Sequence, residues 1–193
     1  MILGIDYGSK LAGTTVIAYQ LDGLVYLEKS VKNQDADEMI INFVSKVEVE
    51  VIGLDAPLSL PGVYTKPHQY DNYFYRACDS ALKAMSPMFL GGLTARAIKL
   101  KNGMVARDIK MFEVYPAKVA QDLGLKMFGY KSKAPDYAQM ISVLKDLGLV
   151  LARGSDIQTS HDLDAVLALY AALRIDTSKE KYAGDIDEGL IYY

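Results

Sequence analysis

Two short apolar stretches of this chain, residues 2–5 (Ile-Leu-Gly-Ile) and residues 49–54 (Val-Glu-Val-Ile-Gly-Leu), each run directly into an aspartate and a turn. Isoleucine, leucine and valine at this spacing suit the inside of a sheet, where a carboxylate needs a partner. Between them, residues 35–45 read as a helix, with Asp35, Asp37 and Glu38 in the first turn and Met39, Ile40, Phe43 and Val44 at helical spacing. A helix between two strands is the crossover that parallel pairing requires, so the second stretch is predicted to lie parallel to the first. As neighbours, the two strands bring Asp6 and Asp55 out at one edge of the sheet, at the carboxyl ends where open α/β sheets gather ligands.

The remaining segments fill in around that pair. Residues 14–19 and 24–31 read as strands joined at Asp22-Gly23, a strong hairpin signal, so three antiparallel strands come first. A fifth strand is expected over residues 111–115, ending at Pro116, with Phe112 and Val114 on one face and Glu113 and Tyr115 on the other. Residues 62–110 read as a helical insertion: one helix over 73–85 stopped by Ser86-Pro87, and a second from Leu93 beyond the Gly91-Gly92 joint. Helices over 117–123, 135–147 and 160–174 follow, and residues 189–193 suit a last short strand. The expectation is an α/β domain spanning 1–193, with a mixed five-stranded sheet and helices on both faces.

The helix over 160–174 carries its own message. At about 100° per residue, His161, Asp164, Ala165, Ala168, Ala171 and Ala172 share one face, with Leu163, Val166, Leu167 and Tyr170 opposite. An alanine strip lets a helix approach a sheet closely, which presses His161 and Asp164 against the sheet's edge. Thr159 or Ser160 caps this helix, and the macrodipole accounts for Asp162 but not for Asp164. Asp6, Asp55, Glu113 and Asp164 gathered in one pocket repel one another unless protons or cations neutralise them. Oxygen ligands of this kind favour Mg²⁺ or Mn²⁺, and two such ions about 3.5–4 Å apart are a device for phosphodiester cleavage. Taken singly, each acid also has a plain reading as a turn starter or a surface residue.

Composition narrows the class. The 193 residues are 51% hydrophobic and 23% charged, enough for a proper core but short for two full domains. The lone Cys78 excludes an internal disulfide, fits a reducing cytosol and reads as a small buried hydrophobe. No apolar run approaches the roughly 18–20 residues that cross a bilayer, and the first residues lack a basic leader and cleavage site, so a cytoplasmic protein without membrane contact is expected. Net charge is −3, yet residues 83–133 hold ten Lys/Arg against three Asp/Glu. That basic island is either a solvated face or a clamp on phosphates.

"LGIDYGSKLAG" resembles the first strand and turn of the Holliday-junction resolvase-like proteins, and "HDLDAVLALYAA" is similar to the helix bearing their last acidic ligands. More of the chain resembles a related, uncharacterised domain family of predicted RNase H-like nucleases, through "GLDAPLSLPG", "RACDSALKA", "FEVYPAKVAQDLGL", "KAPDYAQMISVLKDLG" and "HDLDAVLALYAAL". The resemblance implies an RNase H-like sheet of three antiparallel and two parallel strands, and a site at Asp6, Asp55, Glu113 and Asp164. His161 stands where resolvases usually carry a carboxylate. On this reading the chain is a metal-dependent nuclease. Asp6, Asp55 and Asp164 hold Mg²⁺ or Mn²⁺, Glu113 is a ligand or orients water, and His161 assists. Lys10, Arg76, Arg96 and Lys99 meet the phosphates of DNA or RNA, and a homo-oligomer is compatible.

Two rivals stand beside it. "GIDYG" also suits the phosphate turn of an actin-like or sugar-kinase ATPase, but the chain has no second copy of that motif. A non-catalytic binding platform fits the 14 tyrosines, among them Tyr64, Tyr70, Tyr73 and Tyr75.

Overall fold

Strand β1 (Ile2–Asp6) is the hub of the sheet, and the computed structural model describes all 193 residues around it. It pairs antiparallel with β2 (Val16–Leu21), which turns through Asp22 (φ 50°) and Gly23 (φ 79°) into antiparallel β3 (Leu24–Lys29). Two successive left-handed residues give the hairpin the twist that its strands need. Helix α1 (Ala36–Val44), capped by the Asp35 carboxylate, crosses to β4 (Val51–Asp55), which runs parallel to β1 with Gly4 beside Gly53 and Asp6 beside Asp55.

Beyond β4 come α2 (Ala77–Leu82), α3 (Pro87–Leu90) and α4 (Gly92–Val105), then β5 (Lys110–Glu113) parallel to β4. Helices α5 (Pro116–Asp122) and α6 (Tyr137–Asp146) lead to β6 (Val150–Leu151), then α7 (Ser160–Asp176) and the ribbon β7 (Tyr182–Asp185) and β8 (Gly189–Tyr192). No helix is long and apolar enough to cross a membrane.

The sheet has six strands in the order β5-β4-β1-β2-β3-β6, where five were expected. The sixth, β6, adds parallel to the outer edge of β3, and its two residues are too few to show an alternation. The expected terminal strand is β8, paired in its own ribbon and bridged to the main sheet where Val114, just past β5, meets Tyr192. The helix expected over 73–85 shrinks to α2: Asn72 draws the Phe74 and Tyr75 amides into a turn, and Lys83 ends the helix in a left-handed conformation (φ 54°).

Strand alternation divides the core. Leu3, Ile5, Ile17, Ile52 and Leu54 meet α1 and α4 on one face, while Val16, Ala18 and Val25 meet α5, α6 and α7 on the other. On that second face β1 and β4 offer glycines. An added Cβ on Gly4 would collide with the α7 backbone at Leu169, and one on Gly53 would lie 2.9 Å from the Ala168 carbonyl and 3.0 Å from the Ala172 methyl. Paired glycines thus form the groove that admits the alanine strip. Gly4→Ala is expected to cost about 2–3 kcal/mol, because the α7 backbone has no side chain to move aside. Urea unfolding measures it, and a loss under 1 kcal/mol would mean the helix is free to lift.

Candidate metal centre

Period-two alternation sets the site. Asp6 lies two residues beyond Gly4 and Asp55 two beyond Gly53, so both carboxylates point to the α7 face at the carboxyl end of adjacent strands. Helix α7 runs antiparallel to β1, and its close seat on the glycines brings its first turns over that edge. One carboxylate oxygen each from Asp6, Asp55 and Asp164 lie within 4.8 Å of one another. His161, one turn earlier, places Nδ1 2.8 Å from Asp6 Oδ2. Three of the four acids that the sequence gathers in one pocket meet here, and Glu113 is not among them.

Their partners differ. Asp164 accepts a hydrogen bond from the Tyr130 hydroxyl (2.6 Å) and pairs with the Lys131 ammonium (2.9 Å). Asp6 has His161. Asp55 has neither an ion pair nor a hydrogen bond, and burial together with the charges of Asp164 and Asp6 pushes its pKa well above the ordinary carboxylate range. Burial also raises Asp6, with the His161 hydrogen bond pulling the other way. Asp6 in turn raises His161 through that hydrogen bond.

A pH dependence follows. An acid whose folded pKa is raised gives stability below its unfolded value, near 3.8, and loses it as pH climbs through the folded value. His161, raised above 6.5, loses its contribution as pH climbs through its own folded value. The lowered carboxylates, Asp35, Asp122 and Asp162, act only around and below 3.8. The urea midpoint of the chelated protein is therefore expected to fall steadily from pH 5 to pH 8. A midpoint rising over that window would contradict it.

Glu113 does not join the three aspartates. The β4–β5 register sets it beside Leu54, so alternation sends it to the face opposite Asp55. There Arg76 binds it through both guanidinium nitrogens, Nη1 to Oε2 at 2.7 Å and Nη2 to Oε1 at 2.6 Å, and the Leu58 amide donates to Oε2 at 2.8 Å. Arg76 also donates from Nε and Nη2 to Asp79 and from Nη1 to Ser59. All five guanidinium donors are spent and the side chain is fully buried, so none is left for a phosphate. Burial works against the Arg76 charge, and the bonds to Glu113 and Asp79 more than offset it.

Of the other cations expected at phosphates, Lys10 pairs with Asp35 (2.8 Å) and Arg96 with Asp37 (2.7 Å). Arg96 also lies over the Tyr7 ring and donates to the Gly8 carbonyl, so it braces the turn after β1. Lys99 is exposed and forms no ion pair; it lines a cavity of about 410 Å³ with Lys10, Arg96 and Arg107. A separate cleft of about 350 Å³ is lined by Asp6, Asp55, Tyr115 and Lys131, and buried Glu113 also contributes to its wall. Asp162, assigned to the macrodipole, is buried, closes a capping box with Thr159 and pairs with Lys29 on β3 (2.7 Å). Tyr130 and Lys131 were not anticipated: among the scattered lysines of the basic island, only the turn at Gly129 sets this one apart.

No protein-family model matches the chain, and no curated protein matches it. Among solved structures, a Thermus thermophilus RuvC structure aligns over 95% of this chain and 98% of its own, with 17% identity and a TM-score of 0.45.

Proposed function

We propose that this chain has an RNase H-like fold of the predicted-nuclease kind and hydrolyses phosphodiester bonds of nucleic acid with a divalent ion held by Asp6, Asp55 and Asp164. One observation carries the reading: three carboxylates from three separate elements converge within 4.8 Å, and one of them, Asp55, has no protein partner. A partly buried carboxylate left without hydrogen bond or counter-ion is costly, and a cation relieves that cost. The donor set is all oxygen, which fits Mg²⁺ or Mn²⁺. When bound, such an ion supplies an activated water and a charge that stabilises the leaving oxygen.

The chain's own groups do the rest. His161 fixes the orientation of the Asp6 carboxylate, and Tyr130 and Lys131 fix that of Asp164. Of the four cations expected at phosphates, Lys99 on α4 is exposed and free of ion pairs, which leaves it available to a substrate phosphate. Arg76 holds Glu113 in the wall of the cleft and so supports its frame.

The test compares wild type with Asp6→Asn on labelled single-stranded, duplex and four-way-junction substrates in Mg²⁺ and Mn²⁺. Cleavage of at least one substrate is expected, lowered at least about 10³-fold by the substitution. Cleavage that survives it unchanged, or a wild type inert toward all three, would remove the proposal.

A further inference from the structure

We propose that Lys131 is the second cation of the carboxylate site, so that the site takes one divalent ion and not two. The inference rests on the metal-centre reading above and concerns how that centre is filled. Lys131 Nζ lies 2.9 Å from Asp164 Oδ2, while the neighbouring Tyr130 hydroxyl holds Oδ1 at 2.6 Å, so consecutive residues of one loop bind both oxygens of one ligand. The same ammonium lines the cleft that Asp6 and Asp55 line, so its charge faces all three acids.

The loop is built for this placement. Gly129 (φ 79°) turns the chain, its carbonyl accepts from the Ser132 amide at 2.8 Å, and the Asp136 amide closes the loop onto the Phe128 carbonyl at 2.9 Å. Lys131 itself is left-handed (φ 56°), a conformation that L residues adopt at a cost. Its ammonium also lies 5.3 Å from the Tyr130 ring centroid, which holds it over the cleft.

Charge counting then decides the occupancy. Three carboxylates and the Lys131 ammonium leave at most two negative charges, and His161, hydrogen-bonded to Asp6, can only lower that number, so one divalent ion suffices to balance them. A second ion would leave an excess of at least two positive charges in a half-enclosed cleft. The fourth carboxylate that would have absorbed it, Glu113, is saturated by Arg76 on the other face of the sheet. An ion beside Asp164 meets the Lys131 charge at short range, where repulsion in a medium less polar than water weakens its binding.

The experiment is calorimetric titration of the full chain with MnCl₂, joined to electron paramagnetic resonance, for wild type, Lys131→Met, Lys131→Gln and Lys131→Arg. Wild type and Lys131→Arg are expected to bind one Mn²⁺ per chain with similar affinity. The two neutral variants are expected to bind the first ion at least tenfold more tightly and to admit a second, seen as spin coupling between the ions. Two coupled ions in wild type, no gain in the neutral variants, or an equal gain in Lys131→Arg would each overturn the proposal. Asp55→Asn run alongside separates this failure from that of the metal centre: Mn²⁺ binding that survives Asp55→Asn, or no binding by any chain, removes the centre itself.

Discussion

Asp55→Asn is expected to stabilise the chelated protein by about 1–3 kcal/mol while lowering the proposed cleavage about 10³-fold or more. The two effects have one cause. Asp55 is partly buried, lies within reach of two like charges and has no partner of its own, so its ionised form is held at a cost that the amide does not bear. Asparagine keeps the shape and removes the charge. The same substitution at Asp6 or Asp164 strands His161 or Lys131, so the gain there is smaller or reversed. Equilibrium urea unfolding in chelator, with the cleavage assay in Mg²⁺, reads both. A variant less stable than wild type would show that Asp55 has a partner, and a variant still active would show that the ion is held elsewhere.

The parts of this arrangement that were legible in the sequence are those fixed by short-range periodicity. Gly4 and Gly53 sit two residues before Asp6 and Asp55, so a period of two and parallel pairing place both acids on one face. The alanine strip of α7 follows from a period of 3.6, and its approach to the sheet brings Asp164 to them. Glu113 shows where this kind of reading ends. Alternation separates Glu113 from Phe112, although the strand ends at Glu113 and Tyr115 caps the following helix; which face Glu113 takes relative to Asp55 depends on the β4–β5 register, and no local pattern specifies that. Arg76 lies in the tyrosine-rich segment, where hydrophobic spacing carries no period. Its one signal was Asp79 three residues on, the spacing at which a helix start folds back on itself. Lys131 depends on a loop conformation, and β6 on a length too short for any pattern.

Arg76→Leu is expected to lose about 3–5 kcal/mol, the largest stability effect of any substitution considered. The guanidinium is fully enclosed and joins Asp79 at the start of α2, Glu113 at the end of β5 and Ser59 beyond β4. Next to it, Glu188 accepts from the Gly62 and Ala77 amides and ties the β7–β8 turn to the same junction. Leucine fills part of the volume but leaves two buried carboxylates without a counter-charge. Adding Glu113→Gln to Arg76→Leu should recover part of the loss, since the second change removes one stranded charge, and the double-mutant cycle isolates the coupling between them. Arg76→Lys should also destabilise, because a three-donor ammonium cannot satisfy five fixed bonds. This separates a structural hub from a phosphate contact. A phosphate-binding arginine changed to lysine would leave the unfolding midpoint in place and alter only the salt dependence of nucleic-acid binding, whereas here the midpoint should fall.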